Sequence, residues 1–355
     1  MENNKPHISI IILNWNGWQD TIECLESVLK LKYDQFNVIL IDNNSNDNSV
    51  VQIQNWANGI TNIPIDTKFP ELVYPLEPKP IKFIALSRDD NLKNFDSILE
   101  NKQIIFIINS TNLGFAVANN QGMLLAARFF NSKYYYLLNN DTVIEKSVLT
   151  DLVDILEQDD TISVAQSTIY SYDDKSKITH AGGRILFWGQ TKHYRRIDKS
   201  EVKKISLING CALFIREKVM RSHGYLSDKF FFGEEDYELS TRFKRKRLKM
   251  ICSGGSKIYH KVGISKNKLL QDYGRSVVLF ALNRIVDLKY FYPTYIWYFW
   301  RILALIYFSC LLWIKYRVPL KRTMFLMKNV YKYSSRIDDV KKTTVDKIFK
   351  MMGLV

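Results

Sequence analysis

The stretch YYYLLNNDTVIE, residues 134–145, decides the fold. Residues 134–138 form an apolar run typical of a buried strand, and Asn139, Asn140 and Asp141 follow it directly. Buried strands commonly close with Gly, Pro or a single turn-forming residue. A strand tip with one carboxylate and two amides therefore indicates either turn chemistry or a site for a charged ligand.

The same alternation of apolar strands and amphipathic helices runs through the first half of the chain. The predicted strands are 8–13, 38–41, 103–108 and 134–138, and the predicted helices include 20–30 and 115–130. Such alternation predicts an α/β fold with a mostly parallel sheet covered on both faces. Residues 61–102 contain five prolines and little helical periodicity, so we expect an insertion there, with one extra strand at 81–86.

Each of the four predicted strands is followed by Asn or Asp. Asn14 follows the first, Asp42 the second, Asn109 the third and Asn139 the fourth. Ligands of parallel sheets bind beyond the carboxyl ends of the strands. The pattern favours a ligand-binding rim, and Asx turns are the alternative.

The positive charge is concentrated in the last quarter of the chain. The net charge of the 355 residues is +14, and residues 271–355 carry 15 Lys and Arg against 5 Asp and Glu. A net charge of only +4 on residues 1–270 argues against nucleic-acid binding by the main domain. The four cysteines lie far apart without a CxxC spacing, which argues against a zinc site or a disulfide framework and is consistent with a reducing cytosol.

Six segments in order resemble family 2 glycosyltransferases. They are IIILNWNGWQDTIECLESV, VILIDNNSNDNS, NLGFAVANNQG, LLNNDTVIE, NGCALFIRE and FFGEEDYELSTR, and the likeness covers about residues 8–265. It is closest to the bacterial rhamnosyltransferase-like branch of cell-surface polysaccharide assembly, including O-antigen and other cell-envelope glycans. The resemblance implies a GT-A fold and inverting sugar transfer from a nucleoside-diphosphate donor with a divalent cation, Mg²⁺ or Mn²⁺.

The resemblance makes Asp141 a metal ligand. It stands at the last acid of the family's Asp-x-Asp motif, which here reads Asn139-Asn140-Asp141. One carboxylate is compatible with Mg²⁺, which is often held by one or two carboxylates together with phosphates and waters. The alternative is that Asp141 caps the next helix. His260 lies where related enzymes place a further metal ligand, and a structural role is its alternative.

The polar residues at the strand ends are expected to bind the donor nucleotide. The resemblance assigns Asp42 to the base or ribose, with the other residues lining the pocket, and an Asx-rich loop is the alternative for this segment. The residues concerned are Asn14, Asp42, Asn44, Asn112, Gly114 and Asn140.

FFGEEDYELSTR carries the catalytic carboxylates. In the family the Asp of a Glu-Asp pair takes the acceptor's proton, which here is Asp236 after Glu235. An acidic first turn that stabilises a helix dipole is the alternative, but it leaves the preceding Phe-Phe-Phe-Gly, typical of an exposed loop, unexplained. Arg242 matches the motif and belongs to the predicted catalytic set, or pairs structurally with Glu238 four residues earlier.

The tail, residues 271–355, is predicted to be helical and membrane-associated. Residues 291–300 contain seven aromatics in ten, followed by Arg301 and the apolar run 302–314. Thirteen apolar residues are too few to cross a bilayer, and a charge is costly at its centre. We therefore expect a docked or re-entrant segment, with a full membrane span as an alternative, on anionic phospholipid at the cytoplasmic face of the plasma or inner membrane, peripheral or monotopic. A buried helix against the catalytic domain is the other alternative.

The predicted protein is therefore an inverting hexosyltransferase with a catalytic domain at 1–270. It would move a sugar, first of all rhamnose from its dTDP donor, to a hydroxyl of a lipid-linked glycan precursor. A sugar-phosphate nucleotidyltransferase would need a cationic loop after the first strand, which NWNGWQD lacks. A catalytically inactive scaffold at the membrane is the other alternative.

Overall fold

A computed structural model of the chain describes residues 5–60, 63–87, 101–186, 190–261 and 273–354. The chain divides into two compact units. Unit 1 comprises residues 1–185, 191–226 and 240–262, and unit 2 comprises residues 186–190, 227–239 and 263–355. The expected boundary at 270/271 and part of the expected insertion, residues 61–62 and 88–100, lie outside the described residues.

The described residues form thirteen strands, most of which join one large sheet. They are β1 (Ile8–Asn14), β2 (Phe36–Asp42), β3 (Phe83–Ser87), β4 (Ile104–Ile108), β5 (Tyr134–Asn139), β6 (Thr142–Ile144), β7 (Ile162–Ser171), β8 (Ile178–His180), β9 (Gly183–Ile185), β10 (Thr191–His193), β11 (Val202–Ile205), β12 (Ala212–Arg216) and β13 (Lys249–His260). The sheet order is β11-β13-β7-β12-β5-β1-β2-β4-β3, with β6 on β13 and β8 on β7, while β9 and β10 form a separate hairpin.

Five strands from the first half of the chain are parallel, as the sequence predicts. β1 pairs with β2 and β5, and β4 pairs with β2 and β3. The register sets Asn14 opposite Asp42, and Leu13 opposite Asn139. The polar residues at the ends of β1, β2 and β5 consequently lie along one edge of the sheet.

The second half of the chain extends this sheet with antiparallel and parallel pairs. β12 is antiparallel to both β5 and β7, and β13 is parallel to β7. The short strand β6 is antiparallel to the end of β13, with Thr142 opposite His260. This pairing brings the residues after the β5 tip beside the last residue of β13, which no local sequence pattern predicts.

Helices cover the sheet and make up most of unit 2. They are α1 (Trp18–Leu29), α2 (Ser49–Asn58), α3 (Pro70–Val73), α4 (Phe115–Phe129), α5 (Val148–Gln158), α6 (Glu217–His223), α7 (Glu235–Arg245), α8 (Tyr273–Phe291), α9 (Thr294–Cys310), α10 (Leu320–Ser334) and α11 (Lys342–Met351). The core of unit 1 lies between helices and strands, and Tyr134, Tyr135 and Tyr136 of β5 are fully buried in it. The prediction of a mixed α/β fold with a mostly parallel sheet is confirmed.

One local expectation differs from the structure. Asp141 does not cap a helix, because β6 follows it and the next helix, α5, begins only at Val148 with Ser147 at its N-cap. All three residues of the run TVI are β-branched, which favours a strand. They pair with β13, so a strand forms where the alternative placed the start of a helix. In the expected insertion, the extra strand is confirmed as β3 at the sheet edge, and Pro70–Val73 forms one helical turn.

In unit 2, helix α9 has one buried charge and an exposed apolar face. With the π-helical turn Leu311–Lys315 it makes the one helix, within the described ranges, that is long and apolar enough to cross a membrane. A buried core helix would meet the same criterion, but only 17% of its most apolar window is buried. Arg301 is 3% exposed and donates to the carbonyl oxygen of Tyr331 and, at 3.2 Å, to Ser334 Oγ on α10.

Candidate active site

The ends of β1 and β2 are joined through the carboxylate of Asp42. Asn14 Nδ2 donates to Asp42 Oδ2 at 2.7 Å, and Ser45 donates to the same carboxylate from its hydroxyl at 2.6 Å and its amide at 2.9 Å. Asp42 is 1% exposed. Three hydrogen bonds from the protein leave it little capacity for further donors, so it fixes the shape of the rim. Its role toward a nucleoside stays a prediction.

Asn140 links the β5 tip to the same network. Its Nδ2 donates to Thr21 Oγ1 at 2.9 Å and lies 3.3 Å from Asn14 Oδ1, which also accepts from the Thr21 hydroxyl at 2.8 Å. The amide of the buried Asn14 is thus fully engaged, as buried polar groups generally are, and the partly exposed Asn140 is joined to it. Asn14 and Asn140, both predicted to bind the nucleotide, are brought together here.

Asn112 and Gly114 shape the entrance to helix α4. Asn112 Oδ1 accepts from Asn43 Nδ2 and from the Gly114 amide, both at 2.9 Å, and Asn43 Oδ1 accepts from the Leu113 amide at 2.9 Å. Gly114 adopts φ 80°, which favours glycine. A helix N-terminus framed in this way suits a phosphate group.

Asn44 is the exposed member of the predicted nucleotide set. It lies two residues after Asp42 and adopts a left-handed φ of 63°, a conformation that asparagine tolerates better than most residues. Asn112 and Asn140 are partly exposed. The side chains available to a ligand at this rim are therefore amides, while the buried carboxylate of Asp42 supports them from behind.

Asp141 and His260 meet at the junction of β5, β6 and β13. His260 Nε2 lies 3.0 Å from Asp141 Oδ1, yet this oxygen lacks the geometry of a hydrogen bond to any described residue and is buried. Asn139 Nδ2 is 3.5 Å from the same imidazole nitrogen. An orphaned, buried carboxylate oxygen beside an imidazole nitrogen is a pair of donors that fits a divalent cation.

The charge around His260 favours a cation at this place. Burial lowers the pKa of His260, but Cys211 and Asp141 raise it, and the net result is well above the ordinary value. The nearby Asp141 carboxylate thus favours positive charge beside the imidazole. Among the described residues no group of three or more His, Cys, Asp and Glu is arranged to hold a metal alone. A cation bound here would need ligands from water or from a bound diphosphate.

Lys261 secures the strand end that carries His260. Its amide donates to the Asp141 carbonyl at 3.0 Å, and its ammonium lies 2.7 Å from Asp20 and 2.5 Å from Glu23, both on α1. These two carboxylates outweigh burial and raise the pKa of Lys261. The lysine thus ties α1 to the two candidate metal ligands.

The acidic motif of unit 2 forms the first turn of helix α7. Glu235 Oε2 accepts from the amides of Gly233 and Glu234 at 2.7 and 2.9 Å, so this carboxylate caps its own helix. Burial and the charge of Asp236 raise the pKa of Glu235 to about 7. Asp236 itself is partly exposed. The helix-terminus interpretation therefore applies to Glu235, and Asp236 is the carboxylate of the pair open to solvent.

The loop before this helix is less exposed than its sequence suggests. Phe230 is 2% exposed and forms a β-bridge with Val340, so the interpretation of the aromatic run as an exposed loop is wrong for this residue. Its partner lies 110 positions later in the same unit, which the local pattern cannot reveal.

The side chain of Arg242 binds the backbone of the loop at residues 223–225. Its guanidinium donates to the carbonyl oxygens of His223, Gly224 and Tyr225 at 2.6, 2.8 and 2.7 Å. These contacts support the structural alternative for Arg242. Its predicted catalytic role stays a prediction.

Several residues of the site have no clear sequence signal. Ser45 and Thr21 join the polar network, and Lys261 anchors the β13 end, although none belongs to a predicted set. Ser45 lies within DNNSNDNS and Lys261 directly follows His260, so proximity to the predicted residues was the only available indication.

The chain matches a known protein family by sequence. The model of the family described as Glycosyl transferase family 2 matches residues 9–69 and 86–222, which is more than half of the chain. A sequence search of curated proteins gives no significant match.

Solved structures with the same fold include enzymes bound to nucleotides and manganese. One is GalNAc-T7 with UDP, GalNAc and Mn²⁺, at a TM-score of 0.51 and 16% identity, covering 73% of this chain but only 44% of that one. Another is the mannosyltransferase PcManGT from Pyrobaculum calidifontis with GDP-Man and Mn²⁺, at a TM-score of 0.51 and 10% identity, covering 99% and 82%. Such low identities show the fold alone, and the predicted GT-A class is confirmed.

Proposed function

Because the chain belongs to glycosyl transferase family 2, we propose that this glycosyltransferase moves a sugar from a nucleoside-diphosphate donor to a hydroxyl group with inversion. The observation that carries the proposal is the buried Asp141 carboxylate beside His260 at the carboxyl end of the parallel strands. That edge is where parallel sheets bind ligands.

Asp141 and His260 would hold a divalent cation, Mg²⁺ or Mn²⁺. When bound, such a cation neutralises the negative charge of the departing diphosphate. The orphaned Asp141 oxygen, 3.0 Å from His260 Nε2, supports this assignment. The neighbouring amides of Asn140 and Asn112 would donate to the nucleotide, which carries acceptors on its phosphates, ribose and base.

Asp236 would act as the general base. The acceptor oxygen forms a bond to the anomeric carbon as the bond from that carbon to the diphosphate breaks, and the acceptor's proton passes to the Asp236 carboxylate. Its position one residue after a helix-capping glutamate and its partial exposure support this role. Rhamnose from a dTDP donor is the first choice of sugar, on family resemblance.

The experiment that tests the proposal is a donor screen with the full-length protein. UDP-, dTDP- and GDP-sugars are incubated with Mg²⁺ or Mn²⁺, and nucleoside diphosphate release is measured with and without membrane lipid extract. We expect release from one nucleotide class, stimulated by lipid-linked acceptors and abolished by EDTA. Release of pyrophosphate from a nucleoside triphosphate and a sugar 1-phosphate would instead indicate a nucleotidyltransferase, and no turnover of any donor would contradict the proposal.

We also propose that unit 2 docks on an anionic membrane surface, where a lipid-linked glycan acceptor would be met. The outward face of α9 exposes Phe299 at 61%, Ile302 at 55% and Ile306 at 56%. Exposed basic residues follow it closely, including Lys315, Arg317 and Lys321. Aromatic and aliphatic side chains next to lysine and arginine are typical of interfacial helices on the cytoplasmic leaflet.

Removing two of these apolar side chains should weaken membrane binding. Replacing Phe299 and Ile306 by serine is expected to lower partition into vesicles containing phosphatidylglycerol by about 10²-fold, because burial of each side chain contributes about 1.5–3 kcal/mol. Vesicle flotation measures the change.

The matched control replaces two exposed apolar residues of unit 1, Val51 at 52% and Ile60 at 69%, by serine. This variant should bind vesicles as the wild type does. Added salt should weaken binding, because the charge contribution is screened. Equal vesicle binding by both double variants would contradict the docking surface.

A further inference from the structure

In unit 2, one face of helix α8 holds the segment that precedes the acidic motif. Asn283 Nδ2 donates to the carbonyl oxygen of Phe232 at 2.9 Å. A side chain on Gly233, whose φ is 92°, would come within 2.7 Å of the Phe280 ring. Arg284 Nε lies 2.5 Å from Glu234 Oε1. Phe280, Asn283 and Arg284 have the spacing of neighbours on one helical face.

The Arg284–Glu234 pair is the strongest of these contacts. Glu234 is 2% exposed, and the Arg284 guanidinium carbon also lies 3.5 Å from the centre of the Tyr237 ring. Tyr237 belongs to the same helical turn as Asp236. Arginine thus binds the residues on both sides of the Glu235–Asp236 pair, one by charge and the other by stacking. Removing one partner of a buried ion pair leaves the other charge uncompensated.

Asp287 makes no hydrogen bond to this arginine. It lies three residues after Arg284, is 1% exposed, and neither of its carboxyl oxygens has a hydrogen-bond partner among the described residues. Burial raises the pKa of Asp287 well above its ordinary value, and the negative charges of Glu234 and Glu238 add to this. Glu234 is therefore the carboxylate that Arg284 contacts directly.

We infer that Arg284 is a positioning residue for sugar transfer. By binding Glu234 and Tyr237 it fixes the first turn of α7, and therefore the direction in which the Asp236 carboxylate points, without touching the substrate. The inference rests on the proposed function of Asp236. A misplacement of a reacting group by about 1 Å can reduce a rate by about 10²-fold, which sets the effect expected from losing this contact.

The test compares Arg284→Gln with Arg284→Lys in the full-length protein. Arg284→Gln is expected to lower kcat by about 10²-fold with the donor KM unchanged, since donor contacts are untouched. Arg284→Lys keeps a positive charge within reach of Glu234 and should recover most of kcat. The matched control is Lys289→Gln on the same helix, whose partner Asp338 is 77% exposed and which should leave kcat unchanged.

A double-mutant cycle with Glu234→Gln separates positioning from general damage. If Arg284 acts through Glu234, the double variant Glu234→Gln/Arg284→Gln should be no slower than Arg284→Gln alone. Additive losses, a raised donor KM with unchanged kcat, or a folded lysine variant as slow as the glutamine variant would overturn the inference. Thermal unfolding checks folding, and if Arg284→Gln is unfolded the cycle is run with Arg284→Lys.

Failure of this inference can be told apart from failure of the proposed function. If the protein is not a sugar transferase, the wild type turns over no donor. If Arg284 has no positioning role, the wild type transfers sugar and the cycle is additive.

Discussion

Asp236→Asn is expected to lower kcat of sugar transfer by about 10²- to 10⁴-fold, the contribution typical of a positioned general base. Asparagine is nearly the same size as aspartate but cannot accept the acceptor's proton. The donor is bound by other residues in the proposal, so the dissociation constant of the nucleoside diphosphate should change little. Steady-state kinetics and calorimetric titration of the nucleotide measure the two quantities.

Asp338→Asn is the matched control for this experiment. Its carboxylate belongs to unit 2 as Asp236 does, is 77% exposed, and pairs with Lys289 at 2.5 Å. It should transfer sugar at the wild-type rate. Full activity of Asp236→Asn would remove Asp236 as the base. An inactive wild type that still binds nucleotide would support the scaffold alternative.

Asp141→Asn is expected to abolish most metal binding and, with it, most transfer. A bound cation contributes several kcal/mol of charge stabilisation, so kcat/KM should fall by about 10²-fold or more. The direct readout is Mn²⁺ affinity by electron paramagnetic resonance, which does not depend on turnover. His260→Asn should weaken Mn²⁺ binding less, because a neutral ligand contributes less charge than a carboxylate.

The control for Asp141 is Asp173→Asn, a carboxylate of unit 1 that is 81% exposed and pairs with Lys68. Its Mn²⁺ affinity and its transfer rate should equal those of the wild type. Unchanged Mn²⁺ affinity in Asp141→Asn would refute the metal assignment. Lost affinity with unchanged transfer would show that the cation is not needed for the reaction.

The parallel part of the fold could be predicted because its information is local. The apolar run of β1 and that of β5 each end at a polar residue, and parallel pairing with matching ends places those residues on one edge. Periodicity and strand length were sufficient for this step. The GT-A class required more, namely the order of six separate segments.

Contacts between distant positions could not be predicted in the same way. β6 pairs with the end of β13 more than a hundred positions later, and this contact decides that Asp141 precedes a strand and not a helix. The same contact brings Asp141 to His260, a proximity that the sequence alone suggests only through resemblance. Side chains such as Thr21 and Ser45 have no periodic pattern, because their roles depend on which amide comes near them.

Arg284 illustrates a different limit. Within α8 it is one of four charged residues, with Arg275, Asp287 and Lys289, and the sequence leaves it equally compatible with a solvent-facing position. Only the contact with Glu234, 50 positions earlier, gives it a partner. The partner of a buried carboxylate that lies on a distant helix can be identified only from the three-dimensional structure, because residue spacing in the sequence does not encode the contact.

Arg301 of α9 is buried against α10, whereas the opposite side of the same helix exposes apolar side chains. Arg301 is the only charged residue between positions 294 and 314, and it is committed to α10 within unit 2. The opposite side of α9, with Phe299, Ile302 and Ile306, is consequently uncharged and exposed. In the proposed docking on lipid, exchanging these outer side chains should therefore change the strength of attachment while the contacts of Arg301 stay intact.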